Sequence, residues 1–280
     1  MKKSILFFCI TFFALASCQK EVAPSSSGEI VFNLESDSID MGVDTKATTA
    51  VNSLPTSLYW GATSGTRGES SEKQKWAAAS SSVSSGKLNT GKYQTATATA
   101  YNYYVSNVSF TIPATGAATM TAENTTDVIF GYVAASSSLT PSITLNHIFA
   151  RTKNFSCSTQ SGYTISGVSW QIEGVGTTTG TKGTYNMSSG NWSATTALTK
   201  QTVTNSSDLY LIPGEYKIYV TYTLTKGDWT GTFTKSGNVT LVAGKTNNIS
   251  CTAIGGAASE IVLSVSLTSW ADQNLSLTLS

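Results

Sequence analysis

"EYKIYVTYTL", residues 215–224, decides the fold. Tyr216, Ile218, Val220, Tyr222 and Leu224 fall on one face of an extended chain, and Lys217, Tyr219, Thr221 and Thr223 on the other. Side chains alternate across a strand, whereas a helix would scatter these five apolar positions around its axis. Pro213-Gly214 punctuates the start of the stretch and "KGDW" (226–229) its end. "WTGTFT" (229–234) then pairs back as a hairpin.

The same period continues outward in both directions. "NVTLVAGKTNNISCTAI" (238–254) reads as two strands around a Gly-containing turn. "EIVLSVSL" (260–267) places Ile261, Leu263, Val265 and Leu267 on one face, and "NLSLTLS" (274–280) repeats the pattern to the last residue. Upstream, "EIVFNL" (29–34), "SLYWGAT" (57–63), "YNYYVSNVSF" (101–110), "DVIFGYV" (127–133) and "SITLNHIFARTKNFSC" (142–157) read alike. The best helical candidate, "SSEKQKWAAASSSV" (70–83), has too few apolar positions to bury a helix face. The tracts "AAASSSVSSG" (77–86) and "GVGTTTGTKG" (174–183) read as loops. The chain is therefore expected to be all-β. Its length and strand spacing predict two β-sandwich domains, at 29–153 and 154–280, with the boundary near 150–160.

The first residues carry a different signal. Lys2 and Lys3 precede the apolar run "ILFFCITFFALA" (5–16), which is too short to span a bilayer but suits a signal peptide. Leu15-Ala16-Ser17-Cys18 has the form of a bacterial lipobox. Residues 1–17 are thus expected to be removed, Cys18 to carry the lipid, and residues 18–28 to form a tether. Removing residues 1–17, which hold two lysines and no acid, turns the net charge from +1 to −1.

Composition narrows function. There is no basic excess and no basic run, so nucleic acid is not an expected partner. Charged residues are only 12% of the chain and aromatics 10%, which excludes a mostly disordered protein. His147 is the only histidine, set in an apolar-rich strand, and is expected to be packed or at a domain junction. The acids are scattered, so neither a metal site nor a paired-carboxylate glycosidase is singled out. No phosphate-binding Gly-rich loop precedes a helix. The chain reads as non-enzymatic, with no cofactor.

Cys157 and Cys251 remain after Cys9 leaves with the signal and Cys18 takes lipid. In an exported protein they are a disulfide candidate, but two buried free thiols fit as well, because the bond's requirement is spatial. Of the six tryptophans, Trp170, Trp229 and Trp270 are expected in the core, and Trp192, in the turn-like "SSGNWSA" (188–194), is the best exposed candidate.

Several stretches together resemble the fimbrillin family of Bacteroidales. "ENTTDVIFGYV" (123–133) is followed by "ITLNHIFARTKNF" (143–155), with Leu145, His147, Ala150 and Arg151 in the family's pattern. "LYLIPGEYKIYVTYTL" (209–224), "VTLVAGKTNNISCTAI" (239–254) and "IVLSVSLTSWAD" (261–272), with Trp270, are similar to its C-terminal half. The resemblance covers about residues 120–275 well and the first hundred loosely. It implies two β-sandwiches of transthyretin-like topology, and an outer-membrane lipoprotein that serves as a fimbrial subunit or adhesin. It also implies proteolytic removal of the first strand, and strand addition between subunits as the mode of assembly. That strand would be "EIVFNLES" (29–36), with Ile30, Phe32 and Leu34 facing in. Lys46-Ala47 is the first candidate for the cut, although the family favours arginine there, and Arg67 in "SGTRGES" (64–70) is a second, exposed candidate. Leu275, Leu277 and Leu279 would form the donor strand, unless the segment is simply the last strand of its own sandwich. The alternative from another class is a cell-surface glycan-binding lipoprotein using exposed Trp or Tyr. A host or bacterial surface ligand fits either reading.

Overall fold

The computed structural model describes residues 27–36, 54–95, 99–176, 179–205, 208–255, 260–269 and 275–278. Among them there is no helix. The first eight strands are β1 (Ser27–Ser36), β2 (Ser57–Ser64), β3 (Lys73–Ser84), β4 (Lys87–Thr95), β5 (Tyr101–Ser106), β6 (Thr119–Glu123), β7 (Ile129–Ser136) and β8 (Ser142–His147). Seven of these close on themselves in the order β1-β4-β3-β2-β5-β7-β8. The first unit is therefore a closed barrel rather than two facing sheets. Closure rests on β1, which pairs antiparallel with β4 and parallel with β8. Ile30, Phe32 and Leu34 of β1 point into the interior beside Leu58, Trp60, Leu88, Tyr103, Ile143 and Leu145. Phe32 lies edge-on to Tyr103, with ring centroids 5.2 Å apart. Burial pushes the Tyr103 phenol up to about 12, so it stays neutral in the core.

The stretch with the strongest helical look forms most of the strand β3, and the Ala/Ser tract expected to be a loop lies in it up to Ser84, with only Ser85-Gly86 in the turn to β4. Its backbone is satisfied by pairing with β2, from Ser57↔Ser82 to Ser64↔Lys73. Trp76 and Val83 pack on the barrel core, and Ala78 packs on a separate cluster. Partners across the sheet override weak local propensity here.

The remaining strands are β9 (Ala150–Thr159), β10 (Thr164–Gly174), β11 (Gly180–Asn186), β12 (Trp192–Ala197), β13 (Gln201–Val203), β14 (Leu209–Leu211), β15 (Gly214–Lys226), β16 (Trp229–Leu241), β17 (Lys245–Ile254), β18 (Glu260–Ser269) and β19 (Leu275–Thr278). Two sheets face each other, β13-β10-β15-β16 and β14-β9-β17-β18-β19. The stretch read first is β15, and Tyr216, Ile218, Val220, Tyr222 and Leu224 are all fully buried between the two sheets. The β15–β16 hairpin turns through Gly227-Asp228, between the partners Lys226 and Trp229. Gly227 there has φ 56°, the left-handed conformation such a tight turn requires. On the outer face, threonines pair across the hairpin at Thr221–Thr234, Thr223–Thr232 and Thr225–Thr230.

The two units are not merely tethered. β6, from the barrel's sequence, pairs with β11, which pairs with β12. Beneath this three-stranded sheet lies a third core, in which Phe110, Met120 and Phe130 meet Phe149, Met187 and Ile212. Tyr216 stitches the same region. Its hydroxyl donates to the Ile212 carbonyl at 2.7 Å and accepts from the Gly180 amide at 3.0 Å.

Cys157 and Cys251 are register partners on the parallel strands β9 and β17, with Cα atoms 4.7 Å apart, and are joined by a disulfide. The bond closes a sequence separation of 94 residues. In the chain-entropy model such a loop restrains the unfolded state by about 4–5 kcal/mol. Replacing both cysteines with serine is expected to lower the urea midpoint accordingly, and equal midpoints would show that the link adds nothing.

Candidate functional site

Two places concentrate chemistry. The first is β1 itself. Its core-facing residues Ile30, Phe32 and Leu34 are 0%, 0% and 4% exposed. Burying three such side chains contributes on the order of 6 kcal/mol before ordering costs. On the β8 side the pairing runs from Asn33↔Ser142 to Ser36↔Leu145. Further backbone bonds join Val31 to the Leu139 carbonyl at 2.8 Å and Asn33 to the Pro141 carbonyl at 3.0 Å. Without β1 the barrel would present two unpaired edges, on β4 and β8, flanking an apolar slot.

The second place is the seam between the barrel and the β11–β12 hairpin, where a cleft of about 590 Å³ opens. β7, β8, β11 and the start of β12 line it, together with Arg67 from the β2–β3 loop and Pro213 and Ala243 from the second unit. Behind it sits a buried polar knot. Glu72 is fully buried. Its carboxylate accepts from the hydroxyls of Thr63 and Tyr104, from the Gly68 amide at 2.9 Å, and from Ser188 and Asn102 at 3.4 Å each. Five donors satisfy a charge that would otherwise be costly to bury. Burial first, and then the bond to Glu72, hold the Tyr104 phenol well above its usual range.

Arg67 is half-buried, not the exposed loop residue the sequence suggested. Its guanidinium lies 3.4 Å from the centre of the Tyr132 ring, and Nη2 donates to the Met187 carbonyl. Neighbours 65 and 120 positions along the chain hold it, and no local motif signals that. Trp192 also differs from expectation. It begins a strand, is half-buried, and packs against Phe149 at 5.2 Å and Tyr185 at 5.1 Å. Trp170 is buried, at 6% exposed, whereas Trp229, expected in the core, is 44% exposed at the hairpin tip beside Tyr163 and Phe233. Trp270 lies outside the described residues.

His147 is 8% exposed, and its Nδ1 lies 2.8 Å from an Asp127 carboxylate oxygen. It belongs to the passage between units, as do the other residues of its pattern. Leu145 is buried in the barrel and Ala150 in the second unit. Arg151 donates to the Thr246 hydroxyl from Nε at 3.0 Å and Nη2 at 2.7 Å, and pairs with Asp208 at 3.6 Å. Leu275 and Leu277 fall in β19, which pairs with β18 at the edge of its sheet. Cys18, Lys46, Ala47 and Leu279 lie outside the described residues. Among the described residues, no cluster of three His, Cys, Asp or Glu could hold a metal ion.

No family model matches the sequence, and no curated protein does either. Solved structures do. A fimbrial protein from Bacteroides vulgatus superposes with a TM-score of 0.57 at 13% identity, over 86% of this chain and 99% of that one. A candidate cell adhesion protein from Parabacteroides distasonis gives 0.54 at 10% identity, over 87% and 97%. The fold is that of Bacteroidales fimbrial proteins. A fimbrilin from Porphyromonas gingivalis aligns over 88% of this chain and 98% of its own, at 10% identity and a TM-score of 0.48.

Limited trypsin digestion of the folded chain should leave the Arg67–Gly68 bond intact. Arg67→Ala, which strips the Met187 carbonyl of its donor and Tyr132 of its cation, should cost about 1–3 kcal/mol in urea unfolding. A native-state fragment beginning at Gly68 would contradict this placement.

Proposed function

We propose that this chain is a non-enzymatic fimbrial subunit or adhesin of a bacterial surface, assembled by replacement of β1. The observation that carries the reading is the position of β1. One short segment supplies both edge pairings that close the barrel and three of its buried side chains. Residues 37–56 alone connect it to β2, and they contain Lys46-Ala47. A cut there leaves β1 held only by noncovalent contacts. An extended apolar segment from a neighbour then restores the same hydrogen bonds and fills the same slot. The likeness in fold to fimbrial proteins supports this reading.

The precursor is held at the outer membrane by lipid on Cys18 until the cut, and the assembled subunit stands at the cell surface. Its partners are other subunits and a host or bacterial surface ligand. The donor is residues 275–280. Leu275, Leu277 and Leu279 recur at every second position, as the slot requires, and β19 is a four-residue strand that, among the described residues, pairs with β18 alone.

The test is treatment of the full chain with a trypsin-like protease, followed by native and denaturing electrophoresis. The expected product begins at Ala47 and forms a ladder of polymers. Lys46→Gln abolishes both, and a chain ending at Gln273 is cut but stays monomeric. Equal ladders from the uncut variant, or from the shortened chain, would overturn the assignment.

A further inference from the structure

The seam cleft has a composition that barrel closure does not explain. Its floor is the outer face of β8, where Ser142, Thr144 and Asn146 turn outward at alternate positions. Its wall carries the half-buried rings of Tyr185 and Trp192. At one end sits the Arg67 guanidinium, which no carboxylate among the described residues ion-pairs. The nearby Glu72 is already taken up by its own five donors. The Nε atom of Arg67 is buried with no hydrogen-bond partner. A partly desolvated cation with no carboxylate in direct contact is a costly arrangement that an anion relieves.

From this geometry we infer that the cleft is a binding site for a saccharide carrying a carboxylate, a uronate or a sialate. Aromatic faces stack on the apolar C–H faces of a pyranose. The row of hydroxyls and an amide on β8 supplies both donors and acceptors for sugar hydroxyls. The guanidinium takes the carboxylate in a charge-assisted pair. A volume of about 590 Å³ falls in the range of small-ligand sites and holds one or two sugar rings. A peptide is the poorer occupant. β7 and β8, which form the floor, are each paired on both sides, β7 with β5 and β8, β8 with β7 and β1. No free strand edge faces the cleft from the barrel for an extended chain to join. A nucleic acid would require more than one cation. The site lies on the single chain, so it stands or falls independently of strand replacement.

The experiment is titration of the full, uncut chain, followed by tryptophan fluorescence and calorimetry. The probes are sialyllactose and a galacturonate trisaccharide, each beside its neutral counterpart, lactose or a galactose trisaccharide. Binding of one acidic probe at least about tenfold tighter than its counterpart is expected, from a charge-assisted contact made in a half-buried site. Arg67→Gln should remove that preference. Asn146→Ala, on the outer face of a strand where folding is not at stake, should weaken the acidic probe about three- to tenfold. Trp229→Ala, at the distant hairpin tip, should change nothing. Whether the trisaccharide or sialyllactose binds tells uronate from sialate. The proposal is overturned if neither acidic probe binds at roughly 10 mM. It is also overturned if the neutral sugars bind equally, or if binding survives both Arg67→Gln and Asn146→Ala. Equal displacement by a short peptide with a free C-terminal carboxylate would overturn it in favour of peptide capture.

Discussion

The barrel depends on one strand being held from both sides. β1 contributes Ile30, Phe32 and Leu34 to the interior and carries the pairing that joins β4 to β8. Closure of a sheet removes its edges altogether, and edges are where one chain adds to another. The constraint is therefore topological as well as energetic. Any segment with the same alternation and length meets it, because backbone pairing does not read side chains and the slot reads only every second one. The join to β8 is the single parallel pairing in the barrel, and parallel ladders are slightly weaker per residue than antiparallel ones.

The seam between the units follows from a second pairing. β6 leaves the barrel's sequence to join β11, so the two units share a sheet and a core beneath it. Around that core the polar groups are matched, save the Nε of Arg67. Glu72 gathers hydroxyls and amides from β2, β5, the β2–β3 loop and the turn after β11, while Arg67 caps the Met187 carbonyl. The fully satisfied Glu72 cluster favours one arrangement of these elements. The cleft is placed by the same contacts, since its walls come from both units.

The fold class was legible because alternation is local. β15 is visible residue by residue, and its five apolar positions are the ones the second core buries. β3 was not, since an Ala/Ser run carries almost no pattern and its pairing with β2 is decided across the sheet. Barrel closure was invisible for the same reason, as nothing in "EIVFNLES" says that it meets strands about 60 and 110 positions away. The seam residues Arg67, Glu72, Tyr104 and Ser188 are scattered over 120 positions, and no spacing rule collects them. Trp192 and Trp229 exchanged roles because the former starts a strand over Phe149, whereas the latter follows the turn at the end of a long hairpin.

The account turns on whether β1 is a replaceable part. The direct measurement uses the full chain nicked once after Lys46, so that β1 remains bound without a covalent link to the barrel. A fluorescent peptide of residues 27–36 is then added, and its uptake is followed by size-exclusion chromatography with mass spectrometry of the bound strand. The account predicts that the labelled peptide replaces the resident strand at one per chain while the rest of the barrel keeps its fold. A nicked chain that retains its own β1 against excess peptide, or that loses β1 with no opening of the barrel to the peptide, would contradict it.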